Sequence, residues 1–258
     1  MILLISEATI AMQLCKKLNI MNDFINQTLG EIVAKQNNLV PVLEKYNLDY
    51  CCRGKRTLQK ACEENHVDIT TVLNELENIP VQRTAIQMPF TETTAEELIA
   101  HILVHHHYYV KQIVPQIQQH LAKLKEKHAD KFEWINTGVE TFNLLQQELL
   151  QHMQKEEMVL FPRIKNVEES YKENKATIKN ILAPISMMES EHTEAGELME
   201  KLKTITNNYT PAETACTTHR ITLMELKEFE ENLHQHVHLE NNILFPKAIK
   251  MYEETEAA

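Results

Sequence analysis

A spaced pattern, His-x-x-x-Glu-x-x-x-x-Phe-Pro, occurs twice in the chain: His152, Glu156, Phe161, Pro162 and His236, Glu240, Phe245, Pro246. Residues i and i+4 stack on one face of an α-helix, so each copy aims an imidazole and a carboxylate the same way. Two such helices facing each other would hold two metal ions between them. The demand is for a helical chain, and glycine usage agrees. Only 4 glycines in 258 residues disfavour a turn-rich β architecture.

Composition excludes several classes of partner. The formal net charge of -11 argues against nucleic acid, which needs a basic face, and against anionic lipid. No apolar run approaches the ~20 residues of a membrane span. The opening Met1-Ile2-Leu3-Leu4-Ile5 is too short for the apolar region of a signal peptide and lacks a basic leader. A cytoplasmic location is expected. The five cysteines, Cys15, Cys51, Cys52, Cys62 and Cys216, form an odd, sparse set that suits reduced thiols better than a disulfide framework.

The pattern along the chain divides it into a small helical N-terminal domain (1–79), a linker (80–93) and a bundle (94–258). The first part offers short helices at 28–36, 39–46, 57–66 and 70–78, with Asp68 as a cap. Pro80 and Pro89, among polar residues, mark the linker. Four long helices follow. The first starts at a capping box, Thr94-x-x-Glu97, runs towards His128 and meets Pro115 as a candidate kink. The second spans about 133–160 and stops before Pro162; the third spans 185–205, just past Pro184. The fourth opens with Thr210 as cap, Pro211 and Glu213, and ends near Leu244. Short connections make neighbours antiparallel, which predicts an all-α fold: an up-down-up-down four-helix bundle.

Core stripes at alternating three and four spacing read Phe142, Leu145, Leu149, His152, Glu156, Val159 on the second helix. On the third they read Ile185, Met188, His192, Ala195, Met199, Leu202. On the fourth they read Leu226, Phe229, Leu233, His236, Glu240, Ile243. The first helix is ambiguous, because His105, His106 and His107 are consecutive and successive residues turn by ~100°. A register through His107 (Ala100, Leu103, Val110, Val114, Ile117, Leu121, Leu124) stays apolar throughout; one through His106 (Ile99, Ile102, Tyr109, Ile113) runs into Gln116 and His120. The first register is preferred. Among the other histidines, His101, His105, His106, His120, His128, His219, His234 and His238 are assigned to the surface or its boundary.

The inward polar residues are then His107, His152, Glu156, His192, His236 and Glu240. They form a near-repeat in which each half supplies one His helix and one His-x-x-x-Glu helix. Unpaired buried carboxylates cost several kcal/mol or become neutral, and a cation between them removes that cost. Imidazole with carboxylate suits Fe, Zn or Mn, and the lack of an inward thiolate disfavours structural Zn. Two bridging carboxylates with four imidazoles fit a dinuclear centre with positions left for an oxo bridge, O2, NO or water. Ferritin-like bundles use Glu-x-x-His instead, so the spacing points to a hemerythrin-like site. Glu148, one turn before His152, and Glu191, beside His192, are candidates for a supporting shell or a path for iron and protons.

Five stretches, in order, resemble one family: Asp49-Tyr50-Cys51-Cys52, His101-Ile102-Leu103-Val104, His152-Met153-Gln154-Lys155-Glu156-Glu157, Met188-Glu189-Ser190-Glu191-His192, and Leu239-Glu240-Asn241-Asn242-Ile243-Leu244-Phe245-Pro246. From about residue 28 onward the chain resembles the repair-of-iron-centres (RIC) proteins, the YtfE/ScdA-type di-iron proteins. The family's di-iron ligands fall on the six positions above. The resemblance implies a non-haem di-iron protein, with two oxo-bridged Fe ions, that repairs iron–sulfur clusters damaged by nitric oxide or peroxide, with iron donation as the implied means. Its implied partners are iron–sulfur proteins or their assembly scaffolds, with NO or O2 as small ligands, for a monomer or dimer. An NO or O2 reductase, and a reversible O2- or NO-binding protein, are the alternatives. The sequence departs from the family in having Arg53 and Gly54 where two glycines commonly follow the cysteines. A guanidinium beside Cys51 and Cys52 is expected to favour thiolate, making them candidate redox or iron-handling thiols.

Overall fold

The computed structural model describes residues 24–79, 90–176 and 180–256. Cys15, the N-terminal extension before residue 24 and residues 80–89 of the expected linker lie outside them. The chain divides into two compact units, one ending at Thr91 and the next beginning at Glu92. Among the described residues there is no β-strand, only an isolated bridge between Thr28 and Thr57.

The first unit holds α1 (Leu29–Lys35), α2 (Val40–Lys45), α3 (Leu58–Glu64) and α4 (Ile69–Asn78). Side-chain caps set three of their starts. Thr28 and Glu31 close a capping box, Thr57 accepts from the Lys60 N–H, and Asp68 accepts from Thr70 and Thr71. Leu29, Leu43 and Leu58 are buried at the centre of this unit. The loop that carries the cysteines is tied to α1 through its backbone: Gly30 N–H donates to Gly54 and Leu29 N–H to Arg56, both at 2.9 Å.

The second unit is an up-down-up-down four-helix bundle. Its first long helix is α5 (Ala95–Ile102), a π-helical turn (Leu103–His107) and α6 (Tyr108–His128). The second is α7 (Trp134–Lys155), a π turn (Glu156–Leu160) and α8 (Phe161–Lys172). The third is the uninterrupted α9 (Leu182–Ile205). The fourth is α10 (Thr217–Leu239), a π turn (Glu240–Leu244) and α11 (Phe245–Glu256). The expected capping box at Thr94 and Glu97 is present, and the carboxylate of Glu168 on α8 accepts from Ala95 and Glu96, fixing α5 from across the bundle. The helix runs on through Pro115.

The π turns correct four expectations. The second and fourth helices do not stop before Pro162 and Pro246. The Phe161 N–H bonds to Glu156 and the Phe245 N–H to Glu240, five residues back. The ordinary ladder is therefore already broken where each proline lacks its N–H, and the helix restarts with proline in its first turn. On the first helix both registers hold in turn. Ile99 and Ile102 are buried before the π turn, and Val110, Val114, Ile117, Leu121 and Leu124 after it. The inserted residue shifts the face, so Ala100 is exposed and Leu103 only half-buried. The same shift leaves Val159 exposed and buries Leu160. The predicted stripe of α9 is buried at every position.

Two helix starts also differ from expectation. The third begins at Leu182, with Pro184 inside its first turn. The fourth begins at Thr217, and the Thr210–Pro211 signal sits in a loop. Asn207, Asn208 and Tyr209 there have positive φ, and Arg220 donates to the carbonyls of Ala212, Glu213 and Ala215, holding the segment off the helix axis. His106, His219 and His238, expected near the surface, are buried.

Phe229 has no solvent exposure and meets Phe142 edge-on at 5.8 Å in the bundle core. Phe229→Ala is expected to destabilise the bundle by about 3–5 kcal/mol, read as a lower denaturant midpoint.

Candidate metal centre

The motif owes its spacing to the π turns. An α-helix would place a residue five positions on about 140° around the axis. The π turn, with its i to i+5 bond, returns Phe161 and Phe245 to the face that carries Glu156 and Glu240. Each phenylalanine then lies against an imidazole of another helix: Phe161 on His107 (5.7 Å between ring centres) and Phe245 on His192 (6.1 Å, 3° between planes). Functional sites are a common location for such turns.

All six predicted residues meet in the bundle core, and none is more than 3% exposed. They form two sets that share both carboxylates. His107, His236, Glu156 and Glu240 offer one atom each within 4.8 Å of one another, as do His152, His192, Glu156 and Glu240. The Nε2 atoms of His107 and His236 are 3.2 Å apart, and those of His152 and His192 are 2.9 Å apart. Glu156 turns Oε2 to His107 (3.4 Å) and Oε1 to His152 (3.3 Å). Glu240 turns Oε1 to His236 and Oε2 to His192, each at 3.1 Å.

Outer partners fix the rings. The Nδ1 atom of His107 lies 2.8 Å from Glu157, that of His152 2.9 Å from Glu191, and that of His192 2.9 Å from Asn241. Glu157 and Glu191 are each held in turn by a lysine, Lys111 and Lys155. A carboxylate or amide oxygen on Nδ1 requires the proton there, which leaves Nε2 as the inward atom, able to bind a metal once it carries no proton. Glu157 and Asn241 were not singled out from sequence. Each directly follows the motif glutamate, and that shared position is the signal that would have found them. Glu148 is exposed, and with Glu191 it lines a cavity of about 110 Å³ that reaches His152, His192 and His236.

This donor set fits metal ions. Both Glu156 oxygens, Glu240 Oε2 and His236 Nδ1 are buried without a hydrogen-bond partner, although well-folded interiors satisfy nearly all such atoms. Facing imidazole lone pairs and unsatisfied carboxylate oxygens are what a cation neutralises. The electrostatics agree. Burial pushes the Glu240 carboxyl up, but the His236 and His192 imidazoles outweigh it and hold it well below the usual range. Burial pushes His152 down, but Glu156 and Glu191 overcome this and raise it to about 10.

The hemerythrin HHE cation binding domain matches residues 98–248, and the ScdA_N domain, of unknown function, matches residues 25–79. The iron-sulfur cluster repair protein YtfE of Shigella boydii is 37% identical over 224 residues, covering 87% of this chain and 97% of the relative. The YtfE of Citrobacter koseri is 36% identical over 226 residues, covering 88% and 98%. The chain belongs to the YtfE family of hemerythrin-like proteins. Its bundle is a cation-binding domain with two His/Glu clusters able to hold metal. No helix among the described residues is long and apolar enough to cross a membrane.

The cysteine segment of this hemerythrin-like chain differs from expectation. Asp49 accepts from the N–H groups of Cys51 and Cys52 and from the Cys51 thiol, and the two sulfurs are 3.7 Å apart. The hydrogen bond with Cys52, then burial, push the Cys51 thiol well above the usual range. Arg53 is exposed and Arg56 is paired with Glu64 at 2.5 Å, so neither offsets the burial that favours the neutral thiol.

Asn241→Ala would remove the Nδ1 partner of the His192 ring. Loss of such a partner typically costs 10- to 100-fold in metal affinity, and a drop of that size in one of two binding steps is expected by titration.

Proposed function

We propose that the protein is a non-haem di-iron protein that repairs iron–sulfur clusters damaged by nitrosative or oxidative stress, with iron as the cargo it donates. One iron would be held by His107, His236, Glu156 and Glu240, and the other by His152, His192 and the remaining oxygens of the same two carboxylates. The observation that carries this reading is the pair of buried carboxylates whose unsatisfied oxygens face two opposed imidazole pairs. Relatives that match nearly end to end are iron-sulfur cluster repair proteins, which supports it.

When bound, iron would supply redox and Lewis-acid chemistry at this centre. The chain's own part is to orient imidazoles through Glu157, Glu191 and Asn241, and to keep bulk water from the carboxylates by burial. The cavity beside Glu148 and Glu191 gives the His152 and His192 side access to solvent. Cys51 and Cys52, with Asp49, form a separate donor cluster that we assign to redox or iron handling. In this reading residues 1–79 form the cysteine-bearing domain, 80–93 the linker and 94–258 the di-iron bundle. The protein acts in the cytoplasm, as a monomer or dimer, on iron–sulfur proteins or their scaffolds.

The test mixes anaerobically iron-loaded protein with an enzyme whose cluster has been damaged by NO. Recovery of activity beyond that given by the same amount of free ferrous iron is expected. Equal recovery would remove the donor role.

A further inference from the structure

The two halves of the centre are supported differently. In one half, the residue before a ligand histidine is Glu191, which holds His152 by its Nδ1. The corresponding residue in the other half, just before His107, is His106. It does not hydrogen-bond His236. It stacks on it, with ring centres 5.6 Å apart and 9° between planes, and its own Nδ1 lies 3.2 Å from Asn232.

Ring contacts continue outward. His106 meets His101 edge-on at 5.8 Å, and His101 meets His105 at 4.3 Å with the planes tilted by 37°. His106 is buried, His101 half-buried and His105 exposed. Four imidazoles therefore run from solvent to a buried ligand of the centre. They reach it at His236, by a different set of residues from Glu148 and Glu191.

The outer pair has the chemistry of a cation site. Two histidines at i and i+4 on one helical face can bind one first-row divalent ion, as in the zinc-binding helices of metalloproteases. Imidazole donors suit Zn, Co, Ni and Fe(II). Burial, and then His105, push the His101 ring down from its ordinary value, which favours the neutral, ligating form. Two protein donors with water completing the shell would bind weakly, as an ion in passage requires.

We propose that His101 and His105 form an outer binding position for a divalent transition-metal ion, from which the ion passes by way of His106 to His236. This rests on the reading of the buried centre as a two-metal site. The test uses Co(II) as probe and the full chain in a Cys51→Ser, Cys52→Ser background, which removes the thiol cluster and serves as the wild type for the histidines. Metal content after desalting reports the buried pair. Equilibrium titration of the loaded protein reports any weaker third ion, and visible absorption follows the rate at which metal-free protein fills.

Wild-type protein is expected to keep two ions through desalting and to take up a third at equilibrium. His105→Ala, at an exposed position, is expected to keep the two, lose the third and fill severalfold more slowly. His106→Phe, which retains a ring against His236 without nitrogen donors, is expected to fill slowly as well. Absence of a third ion in the wild type, or its persistence in His105→Ala, overturns the outer position. Unchanged filling rates in both variants overturn the route. A desalted wild type holding no ions overturns the two-metal reading instead, and the effect of His105→Ala on the weak ion still decides the outer site.

Discussion

Glu240→Ala is expected to reduce metal content from two ions per chain to one or fewer, whereas His107→Ala reduces it less. The difference follows from charge. Glu240 directs one oxygen to His236 and the other to His192, each at 3.1 Å, so it belongs to both His/Glu clusters. In the proposed centre two divalent ions would bring four positive charges to clusters whose carboxylates, among the described residues, are Glu156 and Glu240. Even at an effective dielectric of ~20, a divalent ion about 4 Å from a carboxylate gains about 8 kcal/mol. Removing one carboxylate withdraws that attraction from both positions and leaves the mutual repulsion of the ions. His107 supplies a neutral donor to one position only. Metal analysis after anaerobic loading, with helicity checked by circular dichroism, distinguishes the cases. Two retained ions in Glu240→Ala would exclude a bridging role.

The six inward polar residues were legible because burial and chemistry agree on a period. On α9, where the helix is regular, spacing alone placed His192 among Met188, Ala195 and Met199 correctly. On the first helix, a uniform 100° turn forced a choice between His106 and His107, and the π turn Leu103–His107 buries both. A period cannot reveal a one-residue insertion that keeps the helix going. Pro162 and Pro246 were informative, but their meaning depended on that same turn: they mark where the backbone ladder was already broken. Asn241 and Glu157 were illegible for another reason. Each acts on an imidazole from a different helix, and a linear sequence does not state which helices are neighbours. The false start at Thr210 shows local cap chemistry overridden by the loop carbonyls that Arg220 gathers.

Loading the metal-free protein at neutral pH is expected to release at least one proton per centre, and the stabilisation by metal is expected to grow with rising pH. In the absence of metal, the two carboxylates find their positive charge in the imidazoles. His152 is raised to about 10 and His107 is raised as well; burial opposes both, but Glu156 with Glu191 and Glu240 overcomes it at His152, and Glu156 with Glu240 and Glu157 at His107. Burial pushes His236 down despite Glu240, so it stays neutral. His152 above its ordinary 6.5 contributes stability that is full below about pH 6.5 and lost as pH rises through about 10. Glu240, held below its ordinary 4.5, contributes stability that is present above about pH 4.5 and lost as pH falls through its lowered value. The metal-free bundle should therefore be most stable between these limits and weaken as the imidazoles deprotonate. In the loaded protein the ions take over the role of those protons, so the alkaline loss disappears while binding at low pH must compete with protonation. Calorimetric titration in buffers of different ionisation enthalpy counts the protons, and melting of both forms from pH 6 to 9 follows the gap. A binding enthalpy independent of buffer, or a Tm difference that narrows with rising pH, would mean that the metal-free imidazoles carry no such charge and that burial, not carboxylate pairing, governs the centre.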